Sequence, residues 1–186
     1  MNLKRNGRTG IKQLTANVKT YFMKPKLHPT QNDLCEKVRR KSIDLLNQQL
    51  ADVLDFDLQA KQAHWNVKGP HFIGLHELFD EVGEELEEFT DDMAERAVEL
   101  GGVALGTIQI VSKKSGLSAY PLNLTSGQKQ VAALSGALAK FGTTTRAAID
   151  TVAKAGDADT ADLFTEVSRG LDKLLWLIEA HVQSKD

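Results

Sequence analysis

HFIGLHELFDEVGEELEEFTDDMAERAVELGG, residues 71–102, is the stretch whose reading decides the fold. Phe72, Leu75, Phe79, Val82, Leu86, Phe89 and Met93 follow one another at alternating steps of three and four residues. That spacing returns each side chain to one face of an α-helix, so the stretch predicts an amphipathic helix, B, over about 71–100. Gly101-Gly102 ends it. A second stripe on the same helix is ionisable instead of apolar: His76, Asp80, Asp91 and Glu95. The 76/80 and 91/95 pairs are each one turn apart. Positions 80 and 91 differ by about three full turns, so all four residues point the same way.

Upstream, Ile43, Leu46, Leu50 and Val53 recur at helical spacing and predict helix A over about 33–66, broken by Asn66-Val67-Lys68-Gly69-Pro70. Downstream, residues 103–124 form a connection with a short helix near 107–114. Thr125 or Ser126 caps helix C, whose stripe is Val131, Leu134, Leu138, Phe141 and Ile149, and Gly156 ends it. Asp157, Asp159 or Thr160 caps helix D, with Leu163, Val167, Leu171, Leu174 and Ile178 on its core face. No strand-like alternation and no internal repeat is present. Short A–B and C–D links make two antiparallel hairpins. Helix B is about 45 Å long and the extended connection reaches about 70 Å, so the link can run back along the bundle. The fold class expected is all-α: a ferritin-like four-helix bundle with a long B–C crossover containing a short helix.

Charge is segregated along the chain. Net charge is −2, yet residues 1–30 hold seven of the 23 basic groups (Lys4, Arg5, Arg8, Lys12, Lys19, Lys24 and Lys26) and none of the 25 acidic ones. The remainder therefore stands at −9. Residues 1–32 lack sustained periodicity and read as a flexible basic N-terminal arm; residues 33–186 read as the bundle domain. No apolar run approaches the ~20 residues of a membrane span, so no membrane partner is expected. The single cysteine, Cys35, makes no internal disulfide and reads as a small apolar residue; a cytoplasmic location is expected.

Imidazole and carboxylate together suit iron, zinc or manganese. One ion cannot touch the whole stripe on helix B, because Asp80 and Asp91 lie about 16 Å apart along its axis. Two copies of helix B packed antiparallel about a two-fold axis resolve this. The 76/95 and 80/91 pairs are centred on one point, midway between residues 85 and 86. Each His76/Asp80 pair then faces the Asp91/Glu95 pair of the other copy. His64, at the end of helix A, can join each site, and Gly83 near the axis is expected to let the helices approach. Glu84, Glu85, Glu87 and Glu88 read as solvated charges, and His28, His71 and His181 as ordinary packed or exposed side chains.

Lys61-Gln62-Ala63-His64-Trp65-Asn66-Val67-Lys68-Gly69-Pro70, then Phe72, His76, Glu77, Asp80, Asp91 and Ala94-Glu95-Arg96, resembles the signature of the Dps (DNA-protection-during-starvation) family. The resemblance continues through Leu100-Gly101-Gly102, Ala119-Tyr120-Pro121, Thr160-Ala161-Asp162, Leu171-Asp172-Lys173 and Trp176, and covers about residues 33–184. It implies a hollow homo-dodecameric shell with a ferroxidase site at each dimer interface. His64, His76 and Asp80 come from one chain, Asp91 and Glu95 from the other. It implies that Fe(II) is oxidised to Fe(III), with hydrogen peroxide as preferred oxidant, and that a ferric mineral is stored in the cavity. Zn or Mn can occupy the same ligands. Trp65 either takes up stray oxidising equivalents or plugs the helix end; Lys61 either tunes the site or is solvated. Asp157, Asp159 and Asp162 either cap helix D or line a three-fold pore for iron entry.

Some members of that family bind DNA through lysine-bearing tails. A basic arm on an acidic body gives a physical route to the same end: non-specific, salt-sensitive binding to DNA phosphates, and with it an association with the nucleoid. Two other readings differ in kind: an architectural DNA-compacting shell with a degenerate metal site, and a zinc or manganese store with a minor redox role.

Overall fold

The computed structural model describes residues 26–184. Within them the chain forms five helices and no strand: α1 (Glu36–Asn66), α2 (Phe72–Glu99), α3 (Ile108–Lys114), α4 (Gly127–Ala155) and α5 (Ala158–Glu179). These are the expected A, B, crossover helix, C and D in that order. α1 pairs with α2 and α4 with α5; α1 also packs on α4 and α2 on α5, while α3 lies against α1. The expected all-α, ferritin-like bundle is what the chain forms.

Each long helix contributes one fully buried phenylalanine to the core: Phe56, Phe79, Phe141 and Phe164, all 0% exposed. Truncating one to alanine costs about 3–5 kcal/mol. Where α2 meets α5 there is no room for a methyl group, because a Cβ at Gly170 would overlap the Phe89 ring. The helix ends follow the local chemistry. Ser126 is the N-cap of α4 and Gly156 closes that helix at φ 93°, a left-handed conformation that costs glycine least. Asp157 then caps α5, accepting the Thr160 N–H at 3.1 Å.

The entry to α1 differs from expectation. The helix begins at Glu36, not near residue 33, because Asn32 Oδ1 accepts the Leu34 N–H at 3.0 Å and holds a turn there. Leu27 and Leu34 pack against the core, and His28 N donates to Gly101 O at 2.8 Å. Among the described residues, contact with the bundle therefore already includes Leu27, inside the stretch assigned to the arm, because an apolar side chain there has a core to meet. Lys26 is exposed at the root of the arm. Lys4, Arg5, Arg8, Lys12, Lys19 and Lys24 lie outside the described residues, as does the expected flexibility of the arm.

The crossover is fastened by a polar ladder on α1. Asn47 Nδ2 donates to Val103 O at 3.0 Å, and its Oδ1 accepts the Leu105 N–H at 2.7 Å. Gln48 donates to Lys114 O at 2.8 Å, Asp52 accepts the Gly116 N–H at 2.7 Å, and Gln59 donates to Ser118 O at 3.1 Å. Asp55 accepts from the Ser115 hydroxyl. A chain crossing a helix with few paired strands of its own needs such partners for its backbone groups. Residues 103–118 are thereby tied along α1, which leaves the α2 side of the hairpin uncovered.

Candidate metal centre

The last turn of α1 and the first turns of α2 bring His64 and His76 together. Their rings stack with centroids 3.7 Å apart and an interplanar angle of 21°. His64 Nδ1 lies 2.8 Å from His76 O, and His76 Nδ1 lies 3.0 Å from His64 O. A carbonyl oxygen only accepts, so both Nδ1 atoms donate. This reciprocal pair sets one tautomer in each ring and leaves both Nε2 lone pairs for a metal ion. Phe72 leans on His76 with centroids 5.1 Å apart.

Asp80, one turn beyond His76, lies 3.9 Å from His64 Nδ1 and accepts a hydrogen bond from Lys61 Nζ. That bond is the main reason its carboxyl stays below the usual carboxylate range, with the Lys61 charge adding to it against a burial effect of opposite sign. Lys61 thus sits on a site residue rather than in free solvent. Trp65 is 65% exposed and plugs nothing among the described residues.

Asp91 and Glu95 are exposed on the same face of α2, toward its far end. The structure does not bring them to His64, His76 and Asp80. Among the described residues, no group of three or more His, Cys, Asp or Glu stands close enough within one chain to hold a metal ion. A helix of this length keeps the two sets about 16 Å apart whatever the side-chain rotamers.

Three expectations need correction. Asp157 is 1% exposed and fully engaged: it accepts from Ser42 Oγ at 2.6 Å, Thr160 Oγ1 at 2.7 Å and Arg96 Nη2 at 3.1 Å. Burial pushes its carboxyl up, but the bonds from Ser42 and Thr160 and the Arg96 charge together hold it below the ordinary range. It belongs to the fold and cannot line a channel, whereas Asp159 and Asp162 are exposed. Gly83 answers to its own chain: a Cβ there would stand 3.0 Å from Asp57 Oδ1 on α1. Cys35 is exposed ahead of α1 and does not fill an apolar site.

A groove of about 480 Å3 runs beside the centre, lined by Leu54, Leu58 and Lys61 of α1 and by Asp80, Glu84 and Glu87 of α2, among others. Leu58, Trp65, Phe72, Ile73 and Val98 are large exposed apolar residues on these two helices. The sequence reading passed over Leu58, Ile73 and Val98, because one aliphatic residue on a polar helix face is an ordinary sight. The spacing of Ile73 and Val98 relative to the ligands was the available signal. The ladder on α1 was also missed, although Asn47 and Asp52 are poor helix formers placed mid-helix, which marks a tertiary partner.

Comparison with known proteins bears on this arrangement. The ferritin-like domain family matches residues 43–185. The DNA protection during starvation protein of Agrobacterium fabrum is 47% identical over 160 residues, covering 86% of this chain and 99% of that protein. Its counterpart in Mycolicibacterium smegmatis is 33% identical over 153 residues, covering 81% of this chain and 82% of that one. Among solved structures, Mycobacterium smegmatis Dps superposes with a TM-score of 0.80 at 32% identity, over 84% of this chain and 96% of the other. DpsC from Streptomyces coelicolor superposes with a TM-score of 0.82 at 28% identity, over 87% and 94%.

Proposed function

Since the chain belongs to the Dps family of ferritin-like proteins, we propose that it oxidises iron(II) and stores the ferric product inside a shell built from its own copies. The observation that supports this most is the reciprocal lock between His64 and His76. It occupies one lone pair on each of two backbone carbonyls, and its effect is to fix both rings with their Nε2 lone pairs free. Metal-binding histidines are oriented by such second hydrogen bonds.

The site is completed across a two-fold axis, with Asp91 and Glu95 of the partner subunit facing His64, His76 and Asp80. Five ligands of mixed hard and borderline type suit iron(II), and the carboxylates favour the ferric product. Iron(II) displaces the Lys61 ammonium from Asp80 as it binds, so one positive charge is exchanged for another. Two iron(II) ions give one electron each to one molecule of hydrogen peroxide, whose O–O bond breaks. Water supplies the remaining oxide and hydroxide of the mineral and releases protons. Consuming peroxide and iron(II) together removes both reactants that damage DNA. Zinc and manganese compete for the same ligands.

Asp159 and Asp162, exposed at the start of α5, are the pair left to concentrate cations at an iron-entry pore of the assembled dodecamer. The basic residues from Lys4 to Lys26 serve as a DNA-binding arm. The body carries −9 and repels phosphate, so binding should weaken steeply with salt. Residence on DNA makes the protein cytoplasmic and nucleoid-associated. Deleting residues 1–26, which spares the packing of Leu27, should abolish a DNA gel shift and leave oxidation intact; a retained shift assigns DNA binding elsewhere.

The central test is anaerobic loading with iron(II) followed by hydrogen peroxide or dioxygen, with ferric absorbance recorded for wild type and for Asp91→Ala/Glu95→Ala. Rapid oxidation in the wild type and its loss in the variant supports the shared site. Equal, slow oxidation in both overturns it and leaves the DNA-compacting shell as the better reading.

A further inference from the structure

We propose that each metal site is closed at its helix-end side by an apolar clasp, in which Ile73 of one subunit packs against Val98 of the partner subunit. This rests on the two-fold reading of the site and goes beyond it, because neither residue can bind a metal.

The argument starts from the outward face of α2. Ile73, His76, Asp80, Glu84, Glu87, Asp91, Glu95 and Val98 follow one another at steps of three, four, four, three, four, four and three. This series reads the same in both directions. Its midpoint falls between residues 85 and 86, the same point on which the ligand pairs are centred. At about 100° per residue the path from Ile73 to Val98 falls only about 20° short of seven full turns. The stripe therefore stays on one side of the helix from end to end. Two such stripes stay in contact along their whole length only at a small crossing angle, in the class near +20°.

A two-fold axis at that midpoint then pairs Ile73 with Val98 of the partner subunit, just as it pairs His76 with Glu95 of the partner subunit. Both aliphatic side chains stand in water in the single chain: Ile73 is 61% exposed and Val98 is 56% exposed. They are the two end members of the stripe, and the residues between them are all ionisable. Phe72, also exposed, precedes Ile73 in the chain and leans on the His76 ring. A closed end excludes bulk water from the ligands and fixes the distance between the two half-sites. Charge–ligand attraction is stronger where water is excluded.

The contact is tested by cross-linking the full chain in a Cys35→Ser background with a short bismaleimide. Ile73→Cys/Val98→Cys should give covalent dimers. Each single variant should not, since the two copies of residue 73 lie about 37 Å apart along the paired helices. Glu84→Cys alone, whose two copies lie about 4.5 Å apart along the paired helices, reports on the two-fold pairing itself. Dimers from Glu84→Cys without dimers from the 73/98 variant mean that the helices cross steeply, which overturns the clasp and leaves the shared site standing. No cross-link in either overturns both. The closing role has its own readout: Val98→Ser, at an exposed position that leaves folding alone, should lower cobalt(II) affinity about tenfold, as losses outside the ligand shell do. Unchanged affinity overturns that role.

Discussion

Two polar stripes run along the α1–α2 hairpin, and they differ in where their partners are. On α1, Asn47, Gln48, Asp52, Asp55 and Gln59 meet backbone groups and a hydroxyl of the crossover within the same chain. On α2, Asp91 and Glu95 have no hydrogen-bond or ion-pair partner among the described residues, and the histidine pair keeps its Nε2 atoms free. Both stripes look alike in sequence: acids and amides at helical spacing. The first is satisfied by folding and contributes stability. The second stays without partners among the described residues, as the proposed metal site shared between two copies of the chain requires.

Substitutions should separate the two stripes. The largest effect is expected on oxidation. Ligand loss in Asp91→Ala/Glu95→Ala should slow it by on the order of a hundredfold, at least as much as losses outside the ligand shell. The melting temperature of the metal-free protein should not fall, because two exposed groups without partners have been removed. A drop in melting temperature would place these carboxylates with the structural stripe after all.

Next in size is the mirror experiment. Asp52→Ala or Asn47→Ala leaves crossover backbone groups without partners and should cost about 2–3 kcal/mol in urea unfolding, with oxidation per folded molecule unchanged. Loss of oxidation without loss of stability would dissolve the distinction between the stripes.

Two buried carboxyls sharpen the comparison through pH. Asp157 is held below its ordinary range, so it stabilises the fold above about pH 4, and that stabilisation disappears as pH falls through its folded value. Asp157→Asn should therefore show a shallower acid decline in melting temperature than the wild type. Asp52 is shifted the other way, chiefly by burial, against bonds from Gly116 and Gln48. Its ionisation works against folding as pH rises out of the ordinary carboxylate range, so the deficit of Asp52→Asn relative to wild type should shrink with rising pH. Parallel curves for either pair would overturn the corresponding assignment.

The smallest effect lies at the two-fold axis. In the proposed dimer the palindromic stripe sets Glu84 against Glu87 of the partner subunit, a meeting of like charges. Glu84→Gln/Glu87→Gln should tighten dimerisation several-fold at low ionic strength, with the gain fading toward the salt that screens it. Sedimentation at two salt concentrations measures this, and an unchanged dimer constant would remove Glu84 and Glu87 from the axis.

Much of this was legible in the chain. The apolar steps of α2, the caps at Ser126 and Asp157 and the stop at Gly156 are local rules, and a helix obeys them with little reference to its neighbours. The symmetric placement of His76, Asp80, Asp91 and Glu95 was legible for the same reason, since a rigid helix converts sequence spacing directly into distance. Other features were not. Asp157, Asp159 and Asp162 are indistinguishable as letters, yet only the first is buried, held by Ser42 and Arg96, while Asp159 meets Arg96 from the surface at 3.8 Å. Gly83 looked like a residue of the dimer axis until Asp57 was found opposite it.

The sequence by itself therefore determined the helices, their faces and the positions of the five side chains proposed as metal ligands, because each depends on periodicity along one element. Tertiary structure alone decided which polar groups are satisfied and which are left open. It turned His64 and His76 onto each other's carbonyls, placed Lys61 on Asp80 and tied the crossover to α1. Those outcomes depend on residues 12 to 66 positions apart in the chain, and hydrogen bonding reads distance in space, not along the sequence.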